Sequence, residues 1–126
     1  MALGGPNIYP GIAGCNYPAC KETSLAGVNA GIADWEEIWS NHSIERWMLA
    51  IAEESGEVIG AFNKWHNGYK TTPKTREDLL EEMSQLTACL FLTAYKLQVS
   101  PAELLGMTGD FMAAKAAQIR EIRRLA

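Results

Sequence analysis

The 126-residue chain lacks several features that would assign it to common functional classes. Its three cysteines would always leave one thiol unpaired, so they fit a reducing compartment better than a disulfide framework. Eleven Lys and Arg against fifteen Asp and Glu give a net charge of −4, and the basic residues form no nucleic-acid footprint. No apolar run is long enough to span a bilayer. We therefore expect a cytoplasmic protein that binds neither nucleic acid nor membrane.

The first 32 residues show little regular periodicity. They contain six of the eleven glycines and three of the five prolines. Such a composition is typical of loops and extended segments, because both residue types interrupt helices and strands. We predict that residues 1–32 form an N-terminal arm and that residues 33–126 form one all-α domain.

From position 34 to the end, apolar residues recur at helical spacing and no strand alternation competes. Helix-start signals predict a short helix over about 34–39 and two long helices over about 43–66 and 75–98. A short helix over about 100–106 and a final helix over about 110–126 follow. We therefore predict an all-α fold built around a helical hairpin.

A single helical hairpin covers only part of its own apolar surface. Long antiparallel hairpins commonly complete a four-helix core by pairing with a second copy. We expect the four-helix-bundle core to be completed by oligomerisation, with a homodimer as the minimum and a homotetramer as the alternative.

Two acidic clusters lie on the two long predicted helices, within stretches that otherwise have the composition of a helix core. The clusters are EESGE at 53–57 and EEMSQ at 81–85. Because a helix advances about 100° per residue, Glu54 and Glu57 share one face, and so do Glu82 and Gln85. Packing the two faces together gathers three carboxylates and one amide oxygen. An all-oxygen ligand set of this kind suits Mg²⁺ or Mn²⁺.

A solvated helix face is the alternative interpretation of these clusters, since Glu-rich stretches usually stabilise helices through i,i+4 pairs. Two details favour a site. The acids lie within apolar runs, and few Lys or Arg stand three or four residues away. Asp78, one turn before Glu82, is either a spare ligand or a helix cap, and spacing alone leaves both interpretations open.

The same segments resemble a known family, the all-α nucleoside triphosphate pyrophosphohydrolases of the MazG and dCTP pyrophosphatase type. The resemblance is carried by LAIAEESGE at 49–57, by Trp65, and by EEMSQLTACLFLTAYKLQVSPAELL at 81–105. The family carries an ExxE pair on one helix and an ExxD pair on the next. Glu54 and Glu57 match the first pair and Glu82 opens the second, but Gln85 stands where the family has Asp.

The resemblance implies a Mg²⁺-dependent enzyme, with Mn²⁺ as an alternative ion. It would hydrolyse a nucleoside or deoxynucleoside triphosphate to the monophosphate and pyrophosphate. Glu54, Glu57 and Glu82 would be the catalytic metal ligands, and Gln85 a weaker ligand because its amide carries no formal charge. Residues 33–126 would form the MazG-like domain, and relatives of this kind assemble as dimers or tetramers.

Five residues are the expected substrate contacts. Trp35 lies where the family often places an aromatic that stacks on the base, and positively charged side chains would meet the triphosphate. The predicted contacts are Trp35, Lys64, Trp65, Lys96 and Lys115. For each lysine a surface charge, and for the tryptophans a place in the core, is the alternative.

Two other functions remain open from the sequence. Gln85 would permit a degenerate family member that binds a nucleotide, or a guanosine polyphosphate, without efficient turnover. A purely structural helical oligomer with solvated acids is the third possibility.

Overall fold

The computed structural model describes residues 24–67 and 74–126. Over these residues the chain forms four α-helices and no strand. The helices are α1 (Ser24–Ile38), α2 (Ile44–His66), α3 (Arg76–Lys96) and α4 (Pro101–Leu125). The predicted all-α class is confirmed.

The two long helices begin where the sequence signals predicted. At the start of α2, the Ser43 hydroxyl accepts a hydrogen bond from the Arg46 N–H at 3.3 Å. At the start of α3, the Thr75 N–H donates to Asp78 Oδ2 at 2.8 Å, and the Asp78 N–H donates to Thr75 Oγ1 at 3.1 Å. This reciprocal pair is a capping box, which satisfies two backbone donors that the helix leaves free.

Helices α2 and α3 pack along one another as an antiparallel hairpin. Trp47 near the start of α2 lies in one cluster with Phe91 and Leu92 near the end of α3. Further along α2, Glu57 lies close to Glu82 near the start of α3. The opposite order of these contacts shows that the helices run in opposite directions, as a hairpin requires.

The core is small and lies toward one end of this hairpin, where α1 and the first turn of α4 join it. Its buried cluster consists of Ile32, Trp47, Phe91 and Leu92. Partly buried side chains from α1, the turn that follows it, α2 and α4 pack around it: Val28, Trp39, Ala50 and Leu104. No helix among the described residues is both long and apolar enough to cross a membrane.

Helix α1 begins earlier than the sequence predicted. It starts at Ser24, so residues 24–32 of the predicted arm are helical. The sequence did not predict this part of the helix because it contains Gly27 and Gly31, and glycine has poor helix propensity. Burial of Ile32 against the other helices outweighs that cost. The prediction of an arm over residues 1–23 lies outside the described residues.

The predicted break between two C-terminal helices is wrong, since α4 runs without interruption from Pro101 to Leu125. Gly106 and Gly109 suggested the break. Each glycine costs about 1 kcal/mol relative to alanine within a helix, which weakens a helix without ending it. The predicted helix start is confirmed by a capping box, in which the Glu103 N–H donates to Ser100 Oγ at 3.1 Å.

Candidate metal centre and adjoining cavity

The middle of α2 and the second turn of α3 bring together the three glutamates that the sequence singled out. One carboxylate oxygen each from Glu54, Glu57 and Glu82 lies within 4.8 Å of the other two. Glu54 and Glu57 are one turn apart on α2, and the antiparallel hairpin sets Glu82 of α3 against them. The cluster is therefore a direct product of helix periodicity and hairpin direction.

Two of these carboxylates bury an oxygen that has no protein partner. Glu54 Oε1 and Glu82 Oε1 are inaccessible to solvent, and neither accepts a hydrogen bond from any residue that the structure describes. No ion pair among residues 24–67 and 74–126 involves the three glutamates. A buried carboxylate oxygen without a donor is costly, so the two atoms are available to a cation.

The pKa values of Glu54 and Glu82 are both raised above the ordinary value for a glutamate. Partial burial is the main cause that raises the pKa of Glu54, and the negative charges of Glu57 and Glu53 add to it. Partial burial also leads for Glu82, whose pKa rises further because its protonated form can donate a hydrogen bond to Glu57 and because Glu57 and Glu54 are negatively charged. Both shifts have the direction expected when burial and neighbouring negative charges oppose ionisation of a carboxyl group.

The donor set fits a hard divalent cation. Carboxylate oxygens are the preferred ligands of Mg²⁺ and Mn²⁺, whereas soft ions prefer thiolates. Cys89 lies buried on α3 nearby. Burial and the negative charges of Glu54 and Glu53 raise the pKa of its thiol, so the sulfur keeps its proton and is a poor metal ligand.

A cavity of about 500 Å³ adjoins the cluster at Glu54. Three tryptophans line it: Trp35 of α1, Trp39 of the turn that follows, and Trp47 of α2. The ring centroids of Trp35 and Trp39 are 4.8 Å apart, and those of Trp35 and Trp47 are 5.9 Å apart. Trp47 is buried, and its Nε1 has no acceptor among the described residues. The cavity therefore places aromatic side chains beside the carboxylates.

Gln85 lies on α3 one turn after Glu82, and its exposed side chain lines the same cavity as Glu54. The amide thus borders both the acidic cluster and the aromatic walls. An amide oxygen can bind Mg²⁺, and an amide can also donate and accept hydrogen bonds with a ligand. A ligand role for Gln85 stays a prediction.

Of the five predicted substrate contacts, Trp35 alone lines this cavity. It is 37% exposed, which leaves one part of the indole open to a ligand. Lys64 lies seven residues beyond Glu57, on the same face of α2 and about 10 Å further along the axis. Lys115 is exposed on α4. Contacts of these two lysines with substrate stay predictions.

Lys96 and Trp65 have other partners. Lys96 Nζ lies 3.0 Å from Glu36 Oε1, and both side chains are 19% exposed, so this ion pair ties α3 to α1. Trp65 belongs to a separate aromatic group at the end of α2, with ring centroids 6.2 Å from Phe62 and 6.0 Å from His66. Structural contacts therefore account for both residues, and neither lines the cavity.

The cavity also includes residues that the sequence did not assign to the site, among them His42, Arg46 and Trp47. Trp47 precedes Glu54 by seven residues, which is two helical turns, so helix periodicity could have placed it on the same face. Arg46 supplies a guanidinium to the wall, and the His42 ring centroid lies 5.2 Å from that of Trp47. Whether these side chains line a cavity depends on how α1 and the following turn pack against α2. No local sequence signal predicts that packing.

Asp78 is a helix cap in this structure. Hydrogen bonds from the Thr75 backbone and hydroxyl lower the pKa of its carboxyl. Its Oδ2 is thus engaged at the start of α3, and Asp78 is not part of the cluster. The other spare acid, Glu81, is exposed on α3, one residue before Glu82.

No protein-family model, curated protein or solved structure matches the chain. The resemblance to the MazG-type pyrophosphohydrolases is therefore carried by the residues of this chain alone. These are the paired acids, their spacing and the helices that hold them.

Proposed function

We propose that the protein is a Mg²⁺-dependent nucleoside triphosphate pyrophosphohydrolase, which converts an NTP or dNTP to the monophosphate and pyrophosphate. The observation that carries this proposal is the convergence of Glu54, Glu57 and Glu82 within 4.8 Å. Two of their oxygens are buried without a partner in the described chain, and a cavity lined by tryptophans adjoins them. A nucleotide would suit a cation site next to an aromatic pocket, because its phosphates would meet the cation and its base would meet the aromatic rings.

Glu54, Glu57 and Glu82 would hold Mg²⁺, or Mn²⁺, through their clustered oxygens. When bound, the ion would neutralise charge on the triphosphate and lower the pKa of a water molecule. Glu53 lines the cavity beside Glu54 and is outside the cluster. It would therefore supply a carboxylate that orients a water and accepts its proton.

The cavity would hold the nucleoside. Its volume of about 500 Å³ falls within the range of roughly 300–1,000 Å³ that is usual for small-molecule sites. Trp35, which is partly exposed, would offer a stacking face for a base, since every base has a π face. Arg46 is the one Lys or Arg among the described lining residues, and its planar fork suits a phosphate oxygen pair.

A nucleotide or guanosine polyphosphate binder with little turnover is the second candidate. Gln85 favours it, because the amide beside Glu54 removes one formal negative charge from the expected ligand set. A purely structural role is disfavoured by the buried oxygens of Glu54 and Glu82, since solvated acids would have no reason to be buried.

We also propose that the enzyme works in the cytoplasm as a homodimer or homotetramer. The described residues bury seven hydrophobic side chains but expose twenty large ones. A helical hairpin with so little of its apolar surface covered is typically completed by a second copy.

The deciding experiment is a nucleotide panel with Mg²⁺ or Mn²⁺ in which the products are separated. Monophosphate plus pyrophosphate is the expected pair, and diphosphate plus phosphate would contradict cleavage between the α and β phosphates. Glu82→Gln is expected to abolish the reaction. Glu81→Gln is the matched control, because Glu81 is adjacent, exposed and outside the cluster.

Binding without turnover would support the second candidate. A ligand at one hundred times its Kd stabilises the folded state by about 2.7 kcal/mol, which thermal melting detects readily. A nucleotide-dependent shift without product would identify a binder, whereas no shift with Mg²⁺ or nucleotide would leave a structural role.

A further inference from the structure

The side chains of Lys96 and Glu36 form a partly buried ion pair between α3 and α1. Lys96 Nζ lies 3.0 Å from Glu36 Oε1, and both side chains are 19% exposed. The other ion pairs among the described residues each lie within one helix, and their side chains are more than half exposed. Within residues 24–67 and 74–126, the Lys96–Glu36 contact is also the one side-chain hydrogen bond that joins two helices. It therefore sets a specific polar link between α1 and α3.

Glu36 lies between the two tryptophans that α1 and its turn contribute to the cavity beside Glu54. Trp35 precedes it directly. Trp39 follows one turn later, and its N–H donates to the Trp35 carbonyl at 2.8 Å, which continues the helical hydrogen bonding. Both tryptophans line the cavity. A displacement of Glu36 would therefore move two tryptophan walls together.

Lys96 continues the face of α3 that forms another wall of the cavity. Gln85 and Cys89 line the cavity from α3. At 100° per residue, these two residues and Lys96 fall within an arc of about 40°. Lys96 is seven residues beyond Cys89, which is about 10 Å further along the helix axis. The ion pair thus lies beyond the cavity and joins the helices that form two of its walls.

Apolar packing leaves α1 incompletely supported. A second cavity of about 540 Å³ lies between α1 and α3, and its lining includes Val28 and Ile32 of α1 and Met83 and Phe91 of α3. Apolar contacts have no preferred direction, so they define the position of a helix poorly where space beside it is unfilled. A charge-assisted hydrogen bond has a defined geometry. The ion pair can therefore fix α1 where packing does not.

The ion pair is a weak source of stability. Glu36 Oε2 is inaccessible to solvent and accepts no hydrogen bond from the residues that the structure describes. Removing two charged groups from water is costly, and replacing a buried ion pair with apolar residues is often neutral or stabilising. We therefore expect the pair to specify the position of α1 more than to stabilise the fold.

We propose that Lys96 and Glu36 are positioning residues for the nucleotide cavity: their ion pair fixes α1 against α3 and so holds Trp35 and Trp39 in place as walls. Neither Lys96 nor Glu36 lines the cavity, so neither is assigned a contact with substrate. The expected effect on KM rests on the proposed function, whereas the placement of the tryptophans does not.

Kinetics of matched variants separate positioning from direct contact. Lys96→Met and Glu36→Met are each expected to raise KM about 5- to 20-fold with little change in kcat, because a displaced Trp35 stacks less well in both ground and transition states. Glu36→Met keeps Lys96 and its charge. If Lys96 instead bound the triphosphate, Lys96→Met would raise KM and Glu36→Met would leave it unchanged or lower it. That pattern would overturn the proposal.

The double variant Glu36→Met, Lys96→Met removes both charges, so it is informative even if either single change impairs folding. It is expected to melt at the parental temperature or above and to keep the raised KM, which separates positioning from stability. A parental KM in this variant would refute the proposal.

Three further variants complete the kinetic test. Lys96→Arg keeps the charge and should keep the parental KM. The exchanged pair Glu36→Lys, Lys96→Glu should restore KM at least in part, since it re-forms the contact. Arg124→Met is the matched control, because it breaks an exposed ion pair within α4, and it should leave KM unchanged. An equal rise in KM in Arg124→Met would count against a specific role for the α1–α3 pair.

Fluorine NMR observes the cavity walls without any nucleotide. 5-Fluorotryptophan replaces the four tryptophans of the chain, and single replacements by phenylalanine assign each resonance. In the double variant, the resonances of Trp35 and Trp39 are expected to shift or split, whereas that of Trp65, which packs with Phe62 at the end of α2, should stay unchanged. Unchanged resonances of Trp35 and Trp39, or equal changes at Trp65, would overturn the proposal.

The two measurements distinguish failure of this proposal from failure of the proposed function. If no nucleotide is bound or cleaved, the proposed function is wrong, and the fluorine spectra still test whether the ion pair positions α1. If nucleotide is cleaved with a parental KM in the double variant and the spectra are unchanged, the positioning role is wrong and the proposed function stands.

Discussion

Glu54 on α2 and Glu82 on α3 each bury one carboxylate oxygen that accepts no hydrogen bond from the described part of the chain. Together with Glu57, they place three oxygens within 4.8 Å. Their mutual repulsion and partial burial oppose ionisation, which is why the pKa values of both are raised. Clustered carboxyl groups with raised pKa values are candidates for a functional site.

Removing one charge from the cluster should separate activity from stability. Glu54→Gln, Glu57→Gln and Glu82→Gln are each expected to lower Mg²⁺-dependent pyrophosphate release by at least about 100-fold, which corresponds to about 2.7 kcal/mol of transition-state stabilisation. Melting of the metal-free variants should occur at the same or a higher temperature, because like-charge repulsion is relieved. Steady-state assays and thermal melting measure the two effects, and full turnover in any of the variants would refute a ligand role for that glutamate.

Divalent ions should stabilise the native protein through the same residues. Mg²⁺ at one hundred times its Kd is expected to add about 2.7 kcal/mol to the free energy of unfolding, and a chelator should reverse the gain. Calorimetric titration gives the affinity, and melting with and without the ion gives the stabilisation. The double variant Glu54→Gln, Glu82→Gln should show neither, so an equal shift in that variant would indicate that the ion binds elsewhere.

Restoring charge at position 85 should strengthen the site. Gln85→Asp is expected to tighten Mg²⁺ binding and raise turnover, because Gln85 borders the cavity beside Glu54 and a carboxylate adds a negative ligand there. Gln85→Glu controls for side-chain length. Calorimetry and pyrophosphate release measure both effects. Equal affinity and rate in all three proteins would show that Gln85 is no ligand, as expected if its amide only hydrogen-bonds a neighbour.

The cap at Thr75 and Asp78 should contribute to stability and leave metal binding unchanged. Thr75→Ala is expected to cost about 1 kcal/mol. The hydrogen bonds from Thr75 hold the pKa of Asp78 below its ordinary value of 3.8. A lowered pKa stabilises the fold above the unfolded pKa, and this stability is lost as the pH falls through the folded value. Asp78→Asn should remove that part of the acid dependence.

Chemical denaturation at neutral and acid pH, with Mg²⁺ titration of each variant, measures these effects. A loss of Mg²⁺ affinity in Asp78→Asn comparable to that in Glu82→Gln would restore Asp78 as a ligand.

Local signals predicted the parts of the fold that depend on neighbouring residues. Ser43, Thr75 and Ser100 begin helices because each can accept a hydrogen bond from a backbone N–H of the first turn. The meeting of Glu54 and Glu82 followed from helix periodicity and from the direction of a hairpin. These relationships are visible in a single sequence.

Contacts between distant segments determined what the sequence did not show. Gly27 and Gly31 prevented the prediction of the first part of α1 from the sequence. The helix forms because Ile32 is buried against residues of other helices. Gly106 and Gly109 suggested a break in α4 because glycine has a lower helix propensity than alanine. That loss of helix stability is too small to end a helix. The Trp47 side of the cavity depends on the packing of α1, and helix propensity carries no information about it.

The tryptophan cavity gives a last prediction, on substrate binding. Trp35→Leu is expected to raise KM about 10- to 100-fold with a small effect on kcat, since stacking on a base contributes about 1–3 kcal/mol and is present in both ground and transition states. Trp65→Leu is the matched control, because Trp65 packs with Phe62 at the far end of α2. Nucleotide should quench the fluorescence of the parent protein and of Trp65→Leu alike, and quench Trp35→Leu less. A larger loss of affinity in Trp65→Leu than in Trp35→Leu would place the base at the other end of the hairpin and would return Trp65 to the substrate site.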